Sequence, residues 1–166
     1  MSNTLNKEEN TEYFNYHEEL GRQKLVEFNE YYKYFKALNI HDIKAHIDAD
    51  GVNKKGTRDF NIEVKTRYIN VNQYPTILME REKYDRMMWE YKTKGKEPIY
   101  INFLLNDDTI LLFNLNKFPT PYKKQTWVQD GGHGGWKLAW RYYLPKKYAI
   151  KYKHNKENNT YEKLLN

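Results

Sequence analysis

Acids and a lysine crowd one short stretch of the chain, IDADGVNKKGTRDFNIEVKTR, at residues 47–67. In an extended strand, residues two apart share a face, so Glu63 and Lys65 project to one side and Ile62 and Val64 to the other. If the turn folds IKAHIDAD back against this strand, Asp48 or Asp50 comes beside Glu63. Two carboxylates on one patch of sheet repel each other unless a cation sits between them. Hard oxygen ligands with room for water and a phosphate oxygen are what Mg²⁺ takes. Phosphodiester hydrolysis uses such a group: a metal polarises the phosphoryl oxygen and makes hydroxide from water, and a cation holds the nucleophile or the developing charge. Lys65 fits the last role. Asp59 is a third acid, but it lies four residues before Glu63 on the same strand, about 13 Å away by strand rise, too far to share one metal. Asp48 and Asp50 share a face, and Asp48 is favoured because it follows the apolar Ile47, whereas Asp50-Gly51 reads as turn.

Positioning such a group requires strands and helices around it. Residues 1–10 are polar and read as a flexible N-terminus. From Thr11 to Leu38 the only Gly or Pro is Gly21, and Leu25, Phe28, Tyr32 and Phe35 recur at spacings of 3 and 4, which predicts one long helix. Residues 43–49 alternate loosely, lead into the turn-rich DGVNKKGT, and are followed by a second alternating run, RDFNIEVKTRYI, which predicts a hairpin. Between Pro75 and Gly95, Ile77, Tyr84, Met87, Met88 and Tyr91 predict a second helix. Pro98–Leu105 and Thr109–Leu115 read as buried neighbouring strands joined by a tight turn at Asn106-Asp107-Asp108. TWVQ and WKLAWRYYL then flank a DGGHGG loop in a further hairpin. His133 in that loop reads as a loop tip rather than a ligand, since four glycines leave it unanchored. The expectation is one domain over residues 11–153, α+β or mixed α/β around one central sheet, with 154–166 as a polar C-terminal tail.

Asp48, a turn, then Glu63-Val64-Lys65 on a strand resembles the D…(D/E)xK signature of the PD-(D/E)XK, or restriction-endonuclease-like, nuclease superfamily. The likeness extends over roughly residues 12–118 and looks most like small nuclease-like proteins carried by phages and prophages. It implies a restriction-endonuclease-like αβββαβ core, with a central mixed sheet flanked by helices and the last hairpin as a C-terminal extension. It implies Mg²⁺ or Mn²⁺ held by Asp48 (or Asp50), Glu63 and the carbonyl of Val64, with Lys65 orienting or activating water. A helical glutamate assists in some members. Glu19 is the candidate, with Glu18 and Glu27 close behind. In RecB-like members a side chain of the helix after the ExK strand approaches the site or the DNA, a region that Lys83 and Tyr84 occupy here, and Arg67 and Arg141 complete the expected nucleic-acid contacts. No proline precedes the aspartate, which departs from the full pattern. ExK alone is also what an exposed cross-strand ion pair looks like.

Composition bounds the reading. The chain has 166 residues, enough for one domain with a real core. The hydrophobic fraction is 39% and the aromatic fraction 16%, so the core must be largely aromatic. With 28 Lys+Arg against 22 Asp+Glu the net charge is +6, which suits a polyanionic partner such as DNA. A chain rich in Asn, Lys, Tyr and Ile can reach the same charge from A+T-rich coding alone. There are no cysteines, which excludes disulfides, thiolate metal sites and a Cys nucleophile. No apolar run is long enough to span a membrane, and MSNTLNKEEN lacks the layout of a signal peptide, so a cytoplasmic protein is expected, in the host cytoplasm if phage-encoded. KLAWRYYLPKKYAIKYK interleaves aromatics with Arg141, Lys146, Lys147, Lys151 and Lys153, as a phosphate-tracking surface does and as an amphipathic strand with solvated lysines also does. The expected function is a metal-dependent DNA endonuclease or resolvase-like nuclease, for which a homodimer would suit symmetric double-strand cutting. Two alternatives stand beside it: a catalytically silent nucleic-acid- or protein-binding phage factor, and a structural phage component.

Overall fold

The computed structural model describes residues 7–129 and 135–165, with side chains for 11–128 and 135–165. Its elements are α1 (Lys7–Tyr32), β1 (Phe35–Ile40), β2 (Ala49–Asn53), β3 (Asp59–Arg67), β4 (Thr76–Glu80), α2 (Arg81–Lys94), β5 (Glu97–Leu104), β6 (Thr109–Asn114), β7 (Tyr122–Gln129), β8 (Trp136–Pro145), a 3-10 turn at Lys146–Tyr148, β9 (Ile150–Asn155) and β10 (Thr160–Leu164). Seven strands form one mixed sheet in the order β1-β2-β3-β5-β6-β9-β10, and three form a second in the order β4-β8-β7. β3 and β5 run parallel, joined by the crossover through β4 and α2, and every other pairing is antiparallel.

The centre of the large sheet is covered on both sides. From Pro98 onward every residue of β5 is buried, so the strand reads as a continuous apolar run instead of an alternation. One face packs Ile62, Val64, Ile101 and Leu112 against Leu25 and Phe28 of α1, with Tyr152 and Tyr161 closing the cluster. The other packs Tyr100, Leu111 and Phe113 against Tyr84 and Met87 of α2 and Ile77, Met79, Tyr142 and Leu144 of the small sheet. Tyr84 lies over Tyr142 with ring centroids 4.1 Å apart, and the Tyr142 hydroxyl donates to Asp85 Oδ1 at 2.8 Å.

This architecture corrects the expected one. The described residues build ten strands and two α-helices, a largely β protein with a curled mixed sheet and a second sheet against it, in place of an αβββαβ restriction-endonuclease-like core. The long first helix stops at Tyr32. Lys33 turns the chain at φ 51°, and the Asn29 side chain takes both backbone groups of Phe35, accepting from its N–H at 2.7 Å and donating to its carbonyl at 3.2 Å. Phe35 therefore enters the core from β1, and its helical spacing from Tyr32 is a coincidence of burial. Residues 76–80 are a strand, since Ile77 and Met79 are buried with a period of two, and α2 starts only at Arg81. Gly95 ends α2 in the left-handed region at φ 72°, its N–H on the Tyr91 carbonyl. The last hairpin is no appendage, because β8 pairs with β4 along its second half. Residues expected as a polar tail supply the end of β9 and β10, whose Tyr161 is buried. His133 lies outside the described residues. Among the described residues no helix is long and apolar enough to cross a membrane.

Candidate active site

The site forms where β2 parts from β3. Their ladder ends at Ala49 opposite Ile62, which leaves the edge of β3 open beyond that point. Asp48 is the residue at the parting. Its N–H donates to the Ile62 carbonyl at 3.1 Å and its own carbonyl accepts from His41 N–H at 2.9 Å, which pins the backbone. Its carboxylate then takes the place of the missing strand: Oδ2 accepts from Val64 N–H at 2.8 Å, and Oδ1 from Arg22 Nη2 at 2.6 Å. Within a strand a residue's N–H and C=O face the same edge. The Val64 carbonyl therefore faces the edge on which Asp48 sits.

Glu63 projects to the opposite face from Val64. Its Oε1 accepts from Lys83 Nζ at 2.6 Å and lies 3.9 Å from Lys65 Nζ. Oε2 is buried with no hydrogen-bond partner, and the residue is only 1% exposed. Burial, reinforced by the neighbouring Asp48 charge, pushes the Glu63 carboxyl up to about 8. Lys83 and Lys65 pull the other way and are outweighed. Burial also disfavours the Lys65 ammonium, but Glu63 and Glu18 more than offset it and hold the group above its ordinary value.

α1 brings the remaining charges. Glu18 Oε1 accepts from Lys65 Nζ at 2.6 Å, and its Oε2 lies 3.7 Å from Arg22 Nη1 one turn on. Burial would raise the Glu18 carboxyl, yet Lys65, Lys83 and Arg22 together hold it below the usual carboxylate range. Between these two residues sits Gly21, where a Cβ would come 3.1 Å from Val64 Cγ1. The missing side chain lets the helix approach β3 closely enough for Glu18 and Arg22 to reach over its edge.

Of the expected residues, the structure brings Asp48, Glu63, Val64, Lys65 and Lys83 together. Asp50 is drawn aside, 2.8 Å from His41 Nε2, and it is Asp48 whose charge acts on Glu63. Glu19 is exposed, and Glu18 is the helical glutamate at the site. Tyr84 is a core residue. Arg67 lies at the cleft, half-buried, with Nε on Asn102 Oδ1 at 2.8 Å and Nη2 on the Tyr100 hydroxyl at 3.0 Å and the Leu78 carbonyl at 2.5 Å. Arg141 also lines the cleft, 3.8 Å from Glu80. Lys146 and Lys153 donate to the carbonyls of Val71 and Asp107. Arg22 went unforeseen. A helical glycine flanked by a Glu–Arg pair at i,i+4 was its signal, because glycine inside a helix often marks a close approach.

Glu63, Lys65 and Lys83 reach the surface through a cleft of about 1050 Å³ bounded by α1, β3, β4 and the β7–β8 hairpin. Whether the group suits a divalent cation is a question of donors. Among the described residues no three His, Asp or Glu side chains converge. Mg²⁺ asks for less, since it keeps several waters and is commonly held by one or two carboxylates. The orphaned Glu63 Oε2 is such a donor, and Asp48 Oδ2 keeps a second lone pair beyond the one used by Val64 N–H. No family model, curated protein or solved structure matches the chain.

Proposed function

We propose that the protein is a metal-dependent nuclease that hydrolyses phosphodiester bonds at the foot of this cleft. The observation that carries the reading is Glu63: a buried carboxylate with one orphaned oxygen, set beside a second buried acid and between two lysines. A cation between Glu63 and Asp48 would resolve their repulsion, and the net charge of +6 suits a polyanionic substrate such as DNA. The Asp48…Glu63-Val64-Lys65 pattern, similar to that of the PD-(D/E)XK nucleases, supports the same chemistry. When bound, Mg²⁺ or Mn²⁺ would polarise the phosphoryl oxygen and lower the pKa of a water, held by Asp48, Glu63 and the Val64 carbonyl.

The chain's own residues supply the rest. Lys65 is held in its charged form, so it stabilises negative charge on the phosphoryl oxygens and orients the water, and does not act as the base that deprotonates it. Glu18 fixes the ammonium in place from the helix side. Lys83, on the other side of Glu63, adds a second positive charge where the phosphate must sit. Arg22 pairs with Asp48 and holds its carboxylate at the edge of β3.

The purified protein is incubated with supercoiled, linear, single-stranded and branched DNA and with RNA, in Mg²⁺, Mn²⁺ or EDTA. Cutting that EDTA abolishes is expected, and Glu63→Gln and Lys65→Ala should each lower it by about 100-fold or more. If no substrate is cut, or Lys65→Ala cuts as well as the wild type, the reading fails. One observation favours a second reading, a silent nucleic-acid-binding factor: each Asp48 oxygen already has a hydrogen-bond partner within the protein. That reading expects nucleic-acid binding indifferent to metal, and no cleavage.

A further inference from the structure

Around the mouth of the same cleft stand four tyrosines, Tyr13, Tyr68, Tyr74 and Tyr122, exposed by 47%, 55%, 51% and 66%. One exposed aromatic needs no explanation, but several converging on one cleft do. They come from three segments: Tyr13 from α1, Tyr68 and Tyr74 from the connection between β3 and β4, and Tyr122 from β7. Tyr13 and Tyr68 flank His17, with ring centroids 4.3 and 5.2 Å from it, so α1 and the residue that follows β3 present one continuous aromatic wall. Tyr122 of β7 sits 5.8 Å from Tyr143 of β8 and supplies a second wall from the hairpin.

Between the walls stand Lys65, Arg67, Lys83 and Arg141 against three carboxylates, Glu18, Glu63 and Glu80, a balance of one positive charge. Arg67 is held by three neutral acceptors, and among the described residues no carboxylate pairs with it. Its charge is therefore available to an anion in the cleft. Lys65 and Lys83 lie deeper, beside the buried Glu63.

Aromatic walls with cations at the base match a strand whose bases are unpaired, because every base offers a face for stacking while its phosphates follow the positive charge. A duplex keeps those faces inside its own stack. A cleft of about 1050 Å³ is at the upper end of what a drug-sized ligand fills, room for a few nucleotides and not for a double helix. Because Glu63 is almost wholly buried, a phosphate must come down to the base of the cleft to react.

We infer that the cleft takes single-stranded or locally unpaired nucleic acid, its bases stacked on Tyr68 and Tyr122 and its phosphates drawn towards Arg67 and Lys65. The inference rests on the nuclease reading for what happens to the strand, but not for how the strand is held. Binding to the wild-type protein is measured by fluorescence anisotropy in EDTA, where metal-dependent cleavage cannot intervene. The probes are a 12-nucleotide single strand, the same sequence as a duplex, and a mononucleotide as competitor. The single strand should bind at least about tenfold more tightly than the duplex. Tyr68→Ala and Tyr122→Ala should each weaken it about 5- to 30-fold, with Tyr→Phe at the same positions restoring it. Equal or tighter duplex binding, indifference to both alanine variants, or competition by the mononucleotide as effective as that of the oligonucleotide would overturn the inference. If the strand preference holds while no nucleic acid is ever cut, the nuclease reading falls and the binding mode stands. If Glu63-dependent cutting prefers duplex, the reverse is true.

Discussion

Burial and the neighbouring Asp48 disfavour the charged form of Glu63, and that effect is measurable without any substrate. Its carboxyl, pushed up to about 8 in the folded protein, ordinarily titrates near 4.5, so between those two pH values the folded protein holds a proton that the unfolded chain has lost. Stability supplied by the protonated carboxyl is therefore fully present below about pH 4.5 and is lost as pH rises towards 8. Each tenfold difference in proton affinity between the two states is worth about 1.4 kcal/mol, so the effect is on the order of several kcal/mol. Urea unfolding in EDTA at pH 5 and pH 8 is expected to show the fall, and Glu63→Gln to remove most of it. A Gln variant with the same slope as the wild type would mean that another group titrates. The Glu18 carboxyl acts in the opposite sense, since its lowered pKa contributes stability that is lost only in more acid solution.

At the scale of elements, the contact between α1 and β3 decides whether those side chains meet. Gly21 occupies the point of closest approach, with Val64 Cγ1 3.1 Å from where a Cβ would stand. Gly21→Ala gains helix propensity and loses packing room, two effects of similar size that nearly cancel. Gly21→Val is different, because branching at Cβ forces the helix off the strand. It should cost about 1–3 kcal/mol by chemical denaturation. If the proposed nuclease activity is found, Gly21→Val should lower it more than Gly21→Ala does, by separating Glu18 from Lys65 and Arg22 from Asp48. Gly51 has the same role between β1 and β2, where the Phe35 ring stands 3.0 Å from the position of a Cβ. The parting of β2 from β3 is itself a structural device: it exposes the strand edge that Asp48 then fills.

Taken whole, the molecule holds its site in the middle of a sheet whose far edge is made by the last part of the chain. β9 pairs with β6 and β10 with β9, and Tyr152 and Tyr161 pack on Phe28 at 5.0 and 5.6 Å. Phe28 belongs to the same helix that carries Glu18 and Arg22. Ending the chain at residue 149 is therefore expected to abolish cooperative unfolding, as followed by near-ultraviolet circular dichroism, although none of the described residues removed lines the cleft. A truncated chain that unfolded as sharply as the full one would show that the sheet ends at β6 in energetic terms.

Strand parity alone placed Glu63 and Lys65 on one face opposite Val64, and the tight run of apolar residues announced β5 and β6, because a period of two and full burial both leave a direct mark on residue type. Asp48 over Asp50 could be argued only narrowly from the chain and became distinct in three dimensions, where His41 draws Asp50 aside. Other features left no local mark. Phe35 has the right spacing for a helix and sits in a strand, since burial in one cluster is blind to which element delivers the side chain. The choice of Glu18 over Glu19 depends on the rotation of α1 about its axis, which Gly21 and Val64 set through a contact 43 residues apart in the chain. The aromatic cleft is the clearest case. Tyr13, Tyr68, Tyr74 and Tyr122 are scattered through a sequence of 16 tyrosines, and only the packing of the helix and the small sheet against the large one gathers them above Glu63 and Lys65. A sequence records what each residue can do locally, but a site made of edges and walls exists only once distant segments have met.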